Sequence, residues 1–405
     1  MRPVALDRHG PGVAFCVGNA VRASTDRAGV VVNILNDDRT MLAKSVRALL
    51  SKRSGSPDVR AATTTPDRFD RDLWTTLCEQ IGVGGLLIDD EHGGAAGSLI
   101  DAAVVAEELG RMLTPSPMLG TACLAATLLA ATTDDDARAR LLPGIATGAT
   151  VVSACLADEC GRWSGARLGV QARLEHEWTL TGTAHYVLDA GAADTFVVLA
   201  TNDGDPGLFE VGAHTPGVAV SDGGTLDPTR ALYRVTFDDA NARPIAAADP
   251  VRAVDHALSC ATVLLAAEQV GAAARCLELT VDYTTSRTQF GRPIGSLQAL
   301  AHRMADLHVL VESARAAAYV AAQSMTEHGA SNPDVSVAKV WCSDAFGAVA
   351  ADCVQLHGGI AITWEHDMHL FFKRAHASSL LFGSPGTHVA ALAEDAGFSS
   401  ELPPS

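Results

Sequence analysis

Apolar residues recur at helical spacing from residue 36 to about 150, alternate from 151 to about 249, and return to helical spacing in longer runs from 250 onward. The opening helix is predicted over 36–53, "NDDRTMLAKSVRALLSKR", with Asn36 or Asp37 as N-cap and Met41, Leu42, Val46 and Leu49 on one face. "RDLWTTLCEQIGVGG" ends in glycines, "SLIDAAVVAEELGRML" opens on Ser98, and "DDDARARLLPGIATG" opens on acids and closes on Gly148. The middle zone is a series of β-branched or aromatic runs cut by Gly, Pro and Asp turns: "EWTLTGTAHYVL", "DTFVVLAT", "GLFEVG", "GVAVSD" and "LYRVTF". Three long helices are predicted at 252–286, 296–328 and 333–356, the last stopped by Gly358 and Gly359, with a final helix near 364–382. The pattern gives a mostly α fold with a central β-domain: an extension over 1–35 without sustained period, a helical domain over 36–150, a β-domain over 151–249 and a helical bundle over 250–398.

Composition narrows the partners. A net charge of −17 opposes nucleic acid and anionic membranes. Nine cysteines stand singly, without metal spacing, and read as buried thiols in a reducing, cytoplasmic compartment; no metal site is expected. No stretch is expected to span a membrane: the most apolar run, "ALSCATVLLAA", is followed at once by Glu268.

Three stretches carry a resemblance. "DDEHGGAAGSLIDAAVVAEELGR" (89–111), "YTTSRTQFGRPIGSLQALAHRMADL" (283–307) and "QLHGGIAITWEHDMHLFFKRA" (355–375) are similar, in one collinear order, to segments of the acyl-CoA dehydrogenases. The resemblance implies α,β-dehydrogenation of an acyl-CoA thioester: a carboxylate takes the α proton while the β hydride passes to FAD. It implies that FAD lies across a subunit interface. Arg287 would face the pyrophosphate, Gln289 the diphosphate region, Phe290 the adenosine side and Gln355 the adenine or ribose, with Gly358 and Gly359 allowing close backbone approach. Taken singly, these residues also read as solvated helix ends and a glycine C-cap.

The ring side departs from the family pattern. "LADECGRWSG" (156–165) lacks the Thr-Glu-Pro and Gly-Ser-Asp elements, and in "HYVLDAG" (185–191) only Tyr186 offers an aromatic over the flavin. The two positions that host the base in the family match Gly383 and Ala261, with Thr262 next to the latter, so no catalytic residue is assigned. Glu268, seven residues beyond Ala261 and about 10.5 Å along the helix, reads better as a structural acid than as a substitute base. Glu365, Asp306 and Glu312 also read as structural, while His302 and His357 could touch cofactor or partner.

Intact nucleotide motifs without a base resemble one chain of the α2β2 heteromeric acyl-CoA dehydrogenases of actinobacterial steroid side-chain degradation. The implied partners are an acyl-CoA, a homologous acyl-CoA dehydrogenase subunit and an electron-transfer flavoprotein or similar acceptor. A self-sufficient homotetramer using a base such as Glu268, and a retired scaffold paralogue, stay open. Small residues at Ala266, Ala267 and Gly271 are expected to leave room for a bulky acyl group, although they also permit close helix packing.

Overall fold

The computed structural model describes residues 36–163, 169–329 and 332–398. The predicted N-terminal extension, Cys16, and Ser164 and Gly165 of the ring-side loop lie outside the described residues.

Six helices build the first unit: α1 (Asp37–Arg53), α2 (Ser56–Ala62), α3 (Arg71–Ile81), α4 (Leu99–Met112), α5 (Met118–Ala130) and α6 (Asp135–Ala146). Their starts follow local capping chemistry. Asn36, Asp70, Ser98 and Asp134 each accept a backbone N–H three residues on, and Ser98 and Asp101 form a reciprocal capping box. On α1 the buried positions are Val46 and Leu50, whereas Met41 is exposed. Leu42 and Leu49 pack half-buried beside them, so the inward face keeps three of the four predicted positions and takes Leu50 in place of Met41.

Seven strands follow: β1 (Val152–Cys155), β2 (Val170–Leu174), β3 (Trp178–Leu188), β4 (Thr195–Asn202), β5 (Asp205–Gly212), β6 (Val218–Asp222) and β7 (Leu232–Ile245). Strand β4 pairs with β2 and β5, β2 with β3, β3 with β7, and β7 with β5, so five strands close on themselves. Strand β1 runs parallel to β4, and β6 pairs antiparallel to β7.

The chain then forms α7 (Pro250–Ser286), a short hairpin of β8 (Thr288–Gln289) and β9 (Arg292–Pro293), α8 (Gln298–His328), α9 (Pro333–His357), α10 (Met368–Leu380) and α11 (Pro385–Asp395). Helix α10 starts later than the predicted 364. Helix α11 was not foreseen; Ser384 caps it and Pro385 occupies its first turn. Contrary to the sequence expectation, the helices Pro250–Ser286 and Pro333–Ile362 are long and apolar enough, by length and composition alone, to cross a membrane. In the first, 89% of the apolar window is buried inside the protein, which is the behaviour of a core helix. Seven of the eight described cysteines are buried and all eight are free thiols; Cys160 is exposed, against the expectation for this set.

The small residues of α7 serve packing. A Cβ on Gly271 would lie 1.9 Å from the Glu107 carbonyl oxygen, and one on Gly110 would lie 2.1 Å from that of Glu268. Helices α4 and α7 thus touch backbone to backbone, and Ala266 and Ala267 are sealed in the core. The expected room for an acyl group is not there.

Candidate active site

A cleft of about 1580 Å³ opens between the β-domain and the bundle, lined among others by Trp163, Tyr186, Leu226, Thr262, Phe382 and Gly383. Tyr186, held at φ 54, presents its ring there and donates its hydroxyl to the Glu159 carbonyl (3.3 Å). Trp163 and Phe382 meet edge to face with centroids 4.9 Å apart.

Both sequence-derived base positions lack a proton acceptor in this geometry. Gly383 lines the cleft at φ +99, beside Phe382 at φ 59, and a Cβ on it would come within 3.1 Å of His388 Nε2. His388 fixes that loop: Nε2–H donates to the Phe382 carbonyl (3.0 Å), and Nδ1 pairs with the Ser336 hydroxyl (3.0 Å). Ala261 is fully buried, and its neighbour Thr262 donates its hydroxyl to the Leu258 carbonyl.

Two acids that the sequence reading passed over do line the cleft, Asp249 and Asp255. Asp249 is engaged as the N-cap of α7. The Asp255 carboxyl is pushed up by partial burial and by the like charge of Asp249. It lies seven residues before Thr262, about 10.5 Å along the helix.

Glu268 sits elsewhere. It lines a separate narrow cavity of about 30 Å³ and is clamped by two arginines, accepting from Arg230 and from Arg374 Nη1 (2.5 Å). Burial alone would raise its carboxyl, but the guanidiniums of Arg230 and Arg374 outweigh burial and hold it below the ordinary value. Arg374 is itself fixed by Asp227 (2.5 Å), the Thr229 carbonyl (2.9 Å) and the Thr229 hydroxyl (2.6 Å). Sequence spacing carries no sign of this cluster, whose members come from the β6–β7 loop, α7 and α10.

The nucleotide-side residues gather at the far end of the bundle. Arg287, Gln289 and Phe290 stand exposed on the β8–β9 hairpin, and Gln355, Gly358 and Gly359 stand exposed at the end of α9. Tyr283 and His357 join the two groups by stacking at 4.6 Å, while the Arg287 amide bonds back to the Tyr283 carbonyl. His357 is buried, with Nδ1–H donating to the Cys353 carbonyl (2.9 Å) and Nε2 without a partner. Phe290 is 92% exposed, and the space above Gly358 and Gly359 is open to 4 Å around an added Cβ. Among the described residues the Arg287 side chain makes no hydrogen bond or ion pair. A planar cation, a free aromatic ring and bare backbone at one exposed end fit the pyrophosphate and adenosine of a dinucleotide. The ring-side cleft fits a flavin less well: of the 185–191 stretch only His185 and Tyr186 line it, and Leu188 and Asp189 line the separate small cavity. His302, Asp306 and Glu365 are exposed, and Glu312 is paired with Arg315.

Comparison with known proteins places these observations in a family. Residues 36–149 match the family described as "Acyl-CoA dehydrogenase, N-terminal domain" and residues 251–397 that described as "Acyl-CoA dehydrogenase, C-terminal domain". The chain is 41% identical over 350 residues to acyl-CoA dehydrogenase IpdE2 of Mycobacterium tuberculosis (strain ATCC 25618 / H37Rv), covering 86% of this chain and 94% of the relative. It is 31% identical over 327 residues to acyl-CoA dehydrogenase FadE27 of the same organism, covering 78% and 85%. Among solved structures, a variant of the Tcur3481-Tcur3483 steroid ACAD superposes with a TM-score of 0.80 at 29% identity, over 89% of this chain and 99% of that one. The ChsE4-ChsE5 complex from Mycobacterium tuberculosis superposes with a TM-score of 0.81 at 26% identity, over 90% and 98%.

Proposed function

Because the chain belongs to the acyl-CoA dehydrogenase family, we propose that it is the subunit of a heteromeric, FAD-dependent enzyme that holds the nucleotide end of the cofactor and leaves α-proton removal to a homologous partner. The observation that carries this reading is Gly383: the loop position where a carboxylate would hang over the thioester is a glycine in a left-handed conformation, backed by His388. FAD, when bound, supplies the acceptor for the β hydride. Arg287 would neutralise its pyrophosphate, Gln289 and Gln355 would donate to the diphosphate and ribose or adenine, Phe290 would pack on the adenosine, and Gly358 and Gly359 would admit the cofactor to the backbone. Two of the superposed solved structures are themselves two-component assemblies by name, one of them of steroid type, which supports a partner chain and a lipid or steroid thioester as substrate. An electron-transfer flavoprotein or similar acceptor would reoxidise the enzyme in the cytoplasm.

Glu268 is a poor substitute base in this reading. Both of its oxygens are taken by guanidiniums, its proton affinity is lowered, and it faces a cavity other than the one Gly383 lines. The deciding experiment compares flavin content and acyl-CoA oxidation for the chain alone and for the chain co-expressed with an acyl-CoA dehydrogenase subunit that retains a base carboxylate. The chain alone is expected to be flavin-poor and inactive, and both properties appear on co-expression. A yellow, active homo-oligomer of this chain would overturn the proposal. Failure to bind FAD even with the partner would point instead to a scaffold.

A further inference from the structure

Asp189 ends β3 in a left-handed turn (φ 58), and its Oδ2 is buried without a hydrogen-bond partner. Arg230 lines the same small cavity as Asp189, and its charge acts on the Asp189 carboxyl. Arg230 is also half-used. One guanidinium nitrogen bonds Glu268, while Nη1 is buried without a partner. Both unpartnered atoms belong to residues lining the same narrow cavity, whose free space of about 30 Å³ is about that of one water molecule.

Glu268 does not depend on Arg230 alone, because Arg374 holds its other oxygen. Releasing Arg230 therefore leaves no bare buried charge on α7. The segment that carries Arg230 also walls the substrate cleft: Gly223, Gly224, Thr225 and Leu226 line the cleft, while Thr229, Arg230 and Ala231 line the small cavity.

We propose that Arg230 is a two-position latch shared between Glu268 and Asp189, and that the charge on Asp189 decides which carboxylate it holds and so where the 223–231 segment stands against the cleft. With Asp189 neutral, Arg230 stays on Glu268. With Asp189 ionised, the new buried charge draws Arg230 across the cavity, and the segment follows. The charged and titratable groups lining the cavity with Asp189 are Arg230 and Tyr233 from the β7 side, Asp67 and Arg68 from the α2–α3 loop, Glu268 from α7 and Arg374 from α10; α5 contributes only the uncharged Met118, Leu119 and Gly120. Burial pushes the Asp189 carboxyl up to about 7 and Arg230 pulls it back only in part, so the exchange falls in the physiological range. The inference concerns this chain's own residues and stands whether or not a partner supplies the base.

The test is hydrogen exchange of the 223–231 amides in the full chain, in whatever assembly it purifies, at about pH 6 and about pH 8, corrected for intrinsic exchange rates. Wild type is expected to change its protection by about tenfold between the two conditions, and Asp189→Asn to show the same protection at both. Arg230→Lys, which keeps a charge but loses the fork, is expected to blunt the change. A wild-type segment indifferent to pH overturns the latch without recourse to any variant. So does a response that survives in Asp189→Asn.

Discussion

Putting a carboxylate back at Gly383 is the sharpest test of how this loop is built. Gly383 adopts φ +99, outside the ordinary left-handed well, and its missing side chain leaves the space in which His388 Nε2 lies 3.1 Å from an ideal Cβ. In Gly383→Glu the backbone term costs about 1–3 kcal/mol. His388 must also move, losing its bonds to the Phe382 carbonyl and the Ser336 hydroxyl, at about 0.5–1.5 kcal/mol each. The sum, on the order of 2–6 kcal/mol, is a large share of a domain's stability. It should appear as a lowered denaturant midpoint at unchanged slope. The chain alone should gain no acyl-CoA oxidation, because the strained loop cannot relax with the carboxylate over the cleft. A cycle with His388→Ala separates the terms: the double variant should cost less than the sum of the singles, since removing the imidazole removes the clash. Strict additivity, unchanged stability of Gly383→Glu, or turnover by Gly383→Glu alone would refute the reasoning.

Glu268→Gln is expected to destabilise by about 3 kcal/mol, because Arg230 and Arg374 lose the counter-charge of a buried cluster; in the co-expressed enzyme, flavin content should persist, and unfolding curves with a flavin readout check both. Arg287→Ala should leave the fold intact and weaken FAD retention by roughly tenfold or more, measured by flavin recovered after gel filtration. Gly271→Ala should cost about 3 kcal/mol or more, since its Cβ would meet the Glu107 backbone at 1.9 Å; a neutral outcome would mean that α4 and α7 are not in backbone contact. Asp189 has its folded-state value raised to about 7 from 3.8, so the stability it contributes is full below the unfolded value and is lost as pH rises through about 7. Denaturation midpoints from about pH 5 to about pH 8 should therefore fall in wild type more steeply than in Asp189→Asn.

Helices with a cap residue and a long period were legible in the sequence: Asn36, Ser98 and the Gly358 stop fall where the structure has them. The elements that escaped are those without a periodic signal. Strand β1 is buried at all four positions and so shows no alternation, α2 is seven residues long, and α11 begins with "SPGTH", which reads as a turn until its cap is seen. The site divides in the same way. Arg287, Gln289 and Phe290 follow one another along one hairpin, and local spacing suffices to bring them together. Asp227, Arg230, Glu268 and Arg374 meet only after the β-domain docks on the bundle, and no local pattern encodes that meeting. The positive φ of Gly383 and the imidazole behind it are equally silent in the sequence, although they explain why glycine suits that place.

The length of α7 accords with the shared cofactor that the family resemblance implies. The α7 residues lining the cleft run no further along the helix than Thr262, whereas the nucleotide-side hairpin begins after Ser286. The 24 residues between these two positions extend about 36 Å at 1.5 Å per residue. In the proposed assembly, a dinucleotide whose pyrophosphate rests on Arg287 lays its ring in another subunit's cleft. In that assembly, residues at the two ends of α7 serve different active sites. In the co-expressed enzyme, Arg287→Ala should remove flavin from the partner's cleft, and Tyr186→Ala should leave that flavin in place. Equal loss of flavin from both variants would mean that one cofactor touches both ends of this chain and would overturn the shared-cofactor reading.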